Sequence, residues 1–377
     1  MAEREAVSGL DERWVLVRSG AVEVAPEERE RLLDELIAAL RAQPDDPGRT
    51  ALLGLRLADR AALRFAEGDR ASALGAIEES LRSSGRAAPY SAEFARWYAR
   101  GLINHGVWLA WPLSDGDRLP RHPLGAAGSE GPTAMERAAG ERARDLTRTA
   151  VEVWSGLDQE DPVNRRGLAQ AKVFLGDRLA ELGAAEEAVA WAVDAQEDFR
   201  RLLFSAPGAE EAQEAGEALD HLGRQLGLRL RFLSFDSLVS LRARGLLPEP
   251  LLPQAVVAAR VRGADGSVIA ARLGLGAGQV ATMLEVTPWL AVWRIDVRTP
   301  DGLWKALDRP WRDTAEVRDR TAEEVAAGVV RAFRARADCP GEGGSWRIRL
   351  WWHEEGDPAG AAYRLFAGPD APAGTPS

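Results

Sequence analysis

Between residues 175 and 195 the chain reads LGDRLAELGAAEEAVAWAVDA, with small side chains wherever two antiparallel helices would have to touch. Leu175, Gly176 and Leu179 fall on one face of a first helix, and Ala188, Ala192 and Ala195 line one face of a second. Small residues there let the two helix axes approach closely. Gly183 stands between them, where a helix end needs a residue that accepts positive φ, and Glu186 and Glu187 fall in the next helix's first turn, where the helix dipole favours acids. One hairpin of this kind cannot cover its own apolar face, so the pattern requires further copies stacked beside it.

Further copies are present. Leu222-Gly223 repeats Leu175-Gly176 at a spacing of 47 residues, and Gly68-Asp69 followed by Ala73, Ile77 and Leu81 repeats the turn and second helix. His105-Gly106 supplies a fourth. The small residue of each first helix is then Ala61, Gly106, Gly176 or Gly223, and each is preceded by a proline, Pro47, Pro89, Pro162 or Pro207, which stops one helix and tolerates the start of the next. On these residues the chain resembles the tetratricopeptide (TPR) family over roughly 45–230. Leu175, Gly176, Leu179, Gly183, Ala188, Ala192 and Ala195 match its helix-contact positions, while Lys172 and Leu179 stand where the family often has Trp and Tyr. Steps of 45, 70 and 47 residues, against a usual period of about 34, point to a long-helix variant with an insertion in the middle step. The resemblance implies an α-solenoid whose first helices line a peptide-binding groove. Carried over position by position, the groove-facing residues are Val107 and Trp111, Asp177 and Glu181, and Asp220 and Arg224, an acidic surface with one aromatic anchor. The implied partner is another protein, met through a basic or Arg-containing segment.

Charge and composition narrow the function classes. Two lysines, Lys172 and Lys305, stand against 46 arginines, a bias expected of a GC-rich bacterial genome. The net charge is −10; residues 251–377 carry 16 basic and 16 acidic side chains, so the first 250 residues hold all of it. Such a balance argues against a general affinity for nucleic acid or an anionic membrane. Cys339 is the single cysteine and His105, His122, His221 and His353 are widely spaced, so neither a disulfide nor a metal site is expected, and no cofactor motif stands out. The N-terminal segment lacks an apolar signal core, and the longest uncharged apolar run, Gly101 to Leu113, is too short for a membrane span. The expected compartment is cytoplasmic.

Taken in order, residues 1–25 read as a lead-in with a short hairpin around Arg18-Ser19-Gly20. Helices are expected from Pro26, over 50–66, 69–84, 91–111, 135–157, 165–182, 185–204, 209–227 and 228–245, with 113–134 a mobile inserted loop. Residues 247–254 hold three prolines and read as a linker between a repeat domain, 26–246, and a second domain, 255–366. There 255–262, 268–273, 280–286 and 290–298 read as strands, 321–336 as a helix with a Thr321/Glu324 capping box, and 346–352 with 361–366 as a last hairpin before a disordered tail, 367–377. The expected fold is mainly α: a TPR-like α-solenoid followed by a smaller antiparallel α+β domain.

Four constellations outside the groove could carry chemistry. Gly274, Gly276 and Gly278 could cradle a phosphate, but Gln279 replaces the glycine a dinucleotide loop needs. The Trp351 to Glu355 run sets indoles beside carboxylates, as a sugar site would, although strand alternation explains it more simply. Trp289, Trp293, Trp304 and Trp311 are close enough in sequence to form an exposed aromatic patch. His105 is expected to be a hydrogen-bonded packing residue. The function that follows is a non-catalytic protein-interaction scaffold or regulator. The alternatives are an enzyme or small-ligand binder with its site in the C-terminal domain, and an immunity- or antitoxin-type inhibitor.

Overall fold

The computed structural model describes residues 2–110, 134–205, 208–230, 233–308, 310–336, 344–352 and 363–367. Residues 113–133 of the expected loop and 368–377 of the expected tail lie outside these, as do Trp111 and the acids Glu354 and Glu355, while Ala134 opens a helix and Ala367 ends a strand. The fold is mainly α, followed by a smaller antiparallel α+β region. Described residues of 1–113, 134–182 and 194–216 form one compact unit, and those of 183–193 and 217–377 form another.

The first unit is built from α1 (Ala2–Arg18), α2 (Pro26–Ala42), α3 (Pro47–Ala66), α4 (Arg70–Ala87), α5 (Ala92–Ala110), α6 (Ala134–Ser155) and α7 (Pro162–Glu181). The boundaries follow local chemistry. Asp46, Asp69 and Asp161 each accept a backbone N–H at a helix start, Pro47 and Pro162 fill first-turn positions, and Gly68 turns the chain with φ +83°. The expected hairpin near residue 20 is instead the end of α1. Val7, Trp14 and Val17 recur at helical spacing and are buried against Leu33, Leu36 and Leu40 of α2, so a long-range apolar stripe overrides the short alternation at 13–17.

Helices α8 (Ala185–Ser205) and α9 (Ala209–Leu230) have residues in both units. Gly183 turns the chain before α8 with φ +80°. The helix expected over 228–245 is two pieces, because Ser234 caps a new helix, α10 (Phe235–Ala243), by accepting from the Ser237 N–H at 3.0 Å. The segment 247–254 buries Leu247, Leu251 and Leu252. Beyond it three expected strands are helices: α11 (Leu252–Val261), α12 (Gly266–Leu273) and α13 (Ala277–Val286). A run buried on almost every side, as in α11, has no period that separates strand from helix, and the few buried residues of α12 and α13 are too short a sample to show one. Here Pro253 in the first turn, a run of alanines, and positive φ at Gly263 and Gly274 decide for helices.

The sheet follows: β1 (Trp289–Arg298), β2 (Trp304–Ala306), β3 (Arg312–Val317), β4 (Trp346–Trp352) and β5 (Tyr363–Ala367), all pairings antiparallel. Strand β1 is central, with β2 and β3 successive along one edge and β4, then β5, on the other. Helix α14 (Ala322–Arg334) starts at the expected capping box: Thr321 Oγ1 accepts from Glu324 N at 3.0 Å, and Glu324 Oε2 accepts from Thr321 N at 2.6 Å. Its Phe333 is fully buried, edge-on to Trp311 at 5.1 Å and to Trp346 at 5.4 Å. That side chain alone removes apolar surface worth roughly 2–3 kcal/mol.

Candidate functional site

Successive helices of the first unit contact one another, and α5 also contacts both α3 and α7 along the backbone, whereas α4 and α6 meet through the Arg142–Glu78 ion pair at 2.8 Å. Helices α3, α5 and α7 therefore make a continuous layer. Small residues permit it: a Cβ on Gly106 of α5 would lie 3.0 Å from Thr147 Oγ1 of α6, and one on Gly167 of α7 would lie 2.5 Å from the Trp154 ring of α6.

The groove candidates fall into separate places. Val107 on α5 is half-buried against Ala61, Ile77 and Trp108, so its side chain serves the core as much as a surface. Asp177 and Glu181 sit one turn apart on α7, Glu181 exposed with Arg178 at 2.8 Å from its carboxylate. Asp220 and Arg224 are exposed one turn apart on α9 in the other unit. Gly223, between them in sequence, is no close-contact position, since an added Cβ would meet nothing within 4 Å. The tight register of the earlier hairpins does not extend to it.

Buried ion clusters were not foreseen. Arg56 is buried, its Nε 2.7 Å from Asp11 Oδ1 and its Nη1 2.7 Å from Asp59 Oδ2, while Asp59 also accepts from Trp14 Nε1 at 2.8 Å. Lys172 bridges Asp194 at 2.7 Å and Asp198 at 2.6 Å. His105 is buried, but neither ring nitrogen has a hydrogen-bond partner, contrary to the expectation. Burial, then the Arg142 charge, pushes its pKa down to about 4, against a smaller upward pull from Glu78.

The sheet carries the most unusual cluster. Odd-numbered residues of β1 face α14 and the core, and even-numbered residues face the other way. On that second face the register sets Arg294 opposite Arg349 and Asp296 opposite Arg347. Asp296 is 1 % exposed and meets three guanidiniums: Arg294 Nε 2.8 Å from Oδ1, Arg347 Nε 2.7 Å and Arg349 Nη2 2.5 Å from Oδ2. Arg347 lies over the Trp304 ring at 4.4 Å, and Arg349 and Arg294 lie over Trp351 at 5.4 and 5.8 Å. The available signal was Arg-x-Arg-x-Trp at 347–351 and Arg-x-Asp-x-Arg at 294–298, each placing charges on one strand face.

Two sequence candidates change meaning. The tryptophans do not form one exposed patch: Trp289 and Trp311 are core residues, Trp293 is half-buried, and Trp304 stands on the opposite face beneath Arg347. The glycine run follows a helix, not a strand. Gly274 ends α12 with φ +67° and Gly276 caps α13, the two helices bending by 117° across this turn. That is helix-turn-helix geometry. The exposed residues of α13, which include Gln279, Thr282 and Glu285, contain no cation, and neighbouring Arg272 is held by Asp236 at 2.7 Å. A phosphate backbone would find no positive charge on that helix.

No protein-family model matches the chain, and no curated protein is similar to it. Among the described residues no single helix is long and apolar enough to cross a membrane; α12 and α13 pass that test only as a bent pair, with Ile269, Leu273, Val280 and Leu284 buried in the core. No group of three or more His, Cys, Asp or Glu able to hold a metal occurs among the described residues.

Proposed function

We propose that the chain is a non-catalytic interaction protein of the cytoplasm, a scaffold or regulator built on TPR-like repeats. The observation that carries this reading is the layer made by α3, α5 and α7, in which alternate helices touch as the first helices of stacked hairpins do. Such a layer offers an extended surface rather than a pocket. Its partner in this reading is a basic or Arg-containing protein segment, met by the acidic half of the chain through Asp177 and Glu181, with Trp111 a further contact. Charge of one sign spread over the surface speeds encounter with its opposite and loses its effect as salt rises.

Anisotropy of a labelled oligoarginine peptide on the full chain tests the proposal, with oligoglutamate as the control. Binding of the first but not the second, weakened by salt and by the Asp177→Ala/Glu181→Ala pair at unchanged thermal midpoint, is the expected result. Undiminished binding to that variant would place the contact elsewhere.

A further inference from the structure

The arginine-rich face of the sheet poses a problem of charge balance that the repeat reading does not touch. Arg347 and Arg349 both point at one oxygen of one carboxylate, Asp296 Oδ2. Arginine keeps its proton under all ordinary conditions, so the excess cannot be relieved by titration. Nor can water relieve it fully, since the Arg349 side chain is 2 % exposed and its Nε is buried without a partner. The indoles of Trp304 and Trp351 spread the positive charge without cancelling it. Among the described residues at least one unit of positive charge remains on this pair, and Arg294 is a third cation at the same carboxylate.

We infer that this face is a binding site for a phosphate dianion, either free or as a terminal monoester, held at Arg347 beside Trp304. Arg347 is the accessible member: it gives only Nε to Asp296, its side chain is 20 % exposed, and its terminal nitrogens have no partner among the described residues. A carboxylate ligand brings one charge and two oxygens. A phosphate brings ~1.5–2 charges and three acceptor oxygens, matching guanidiniums that converge from two strands and are already oriented by a shared carboxylate. Asp296 acts as the positioning residue, fixing the forks before the ligand arrives. The inference is independent of the groove, because it rests on β1 and β4 alone.

Calorimetric titration of the full chain with inorganic phosphate, then with a nucleoside monophosphate, tests it against acetate and chloride at matched ionic strength. Phosphate should bind and acetate should not. Arg347→Gln should weaken phosphate by about tenfold or more, Arg347→Lys should weaken it less, and Arg142→Gln, on an exposed helix face, should leave it unchanged. Tighter binding of the nucleotide identifies the monoester as the source, and equal binding identifies the phosphate group alone as what is recognised. A readout that needs no variant is the indole signal of Trp304, which should shift on phosphate addition while that of buried Trp154 stays in place. Heats equal to those of chloride, acetate binding as well as phosphate, or a Trp304 signal indifferent to phosphate would overturn the site.

Discussion

The helical unit and the sheet bury ions in opposite proportions. In the first unit's helices two buried cations are each shared by two carboxylates: Arg56 by Asp11 and Asp59, Lys172 by Asp194 and Asp198. In the sheet one buried carboxylate is shared by three guanidiniums. The same asymmetry shows in the linear charge, all of the net −10 falling before residue 251. Helix faces collect acids and bases at every third or fourth position, so a central cation readily finds two acids nearby. Strand pairing instead places two rows of alternating side chains in register, and where both rows carry arginine the excess accumulates on one face. Where they bury ions, the two regions therefore carry local charge excesses of opposite sign.

Removing Asp296, the carboxylate that these three guanidiniums share, should break the comparison most forcibly. Asp296→Ala strands Arg349 in a buried site, and a loss of about 3–5 kcal/mol of unfolding free energy is expected in denaturant titration. A loss under one kcal/mol would mean that the guanidiniums are balanced without the carboxylate. The helical unit is tested next through its close contacts. Gly167→Ala pushes a Cβ to 2.5 Å from the Trp154 ring, and a cost of about 3 kcal/mol should follow, seen as faster hydrogen exchange in α6 and α7.

Acid should act on the helical unit through His105, which has no equivalent in the sheet. Its folded pKa of about 4 lies below the ordinary 6.5, so the fold disfavours the charged ring. Stability from this group is therefore complete above pH 6.5 and falls as pH drops from there toward 4, by roughly 2–3 kcal/mol in total. Thermal melts across that window should lose this component in His105→Met, and an identical slope in the variant would assign it to other groups. The smallest effect is a gain. Gly223→Ala meets open space within a helix, and should raise stability by about 0.5–1 kcal/mol. A loss there would show that the tight register extends into α9 after all.

Much of the helical region was legible in the residues because its causes are local. Aspartates before the prolines of α3 and α7, glycines at positive φ before α4 and α8, and the Thr321/Glu324 box each act within four residues of one another. The repeated small residues further implied which helices would touch. The candidate site was less legible. Val107 proved to be shared with the core, Asp220 and Arg224 lie in another unit than Asp177, and the arginine cluster passed unnoticed although its strands were foreseen.

What sequence alone determined was the helices α2 to α7 of the first unit, the strands β1 and β4, and the mainly α class with its smaller antiparallel region. Tertiary structure decided whether the short apolar runs at 252–286 became helices or strands: burial on almost every side of α11 erases the periodicity that would tell them apart, and α12 and α13 bury only Ile269, Ala270 and Leu273 and Val280 and Leu284, too few positions to set a period. It also decided that Asp296 meets Arg349, 53 residues away, since strand register is set by the whole sheet and no local pattern records which face of one strand will lie beside which face of another.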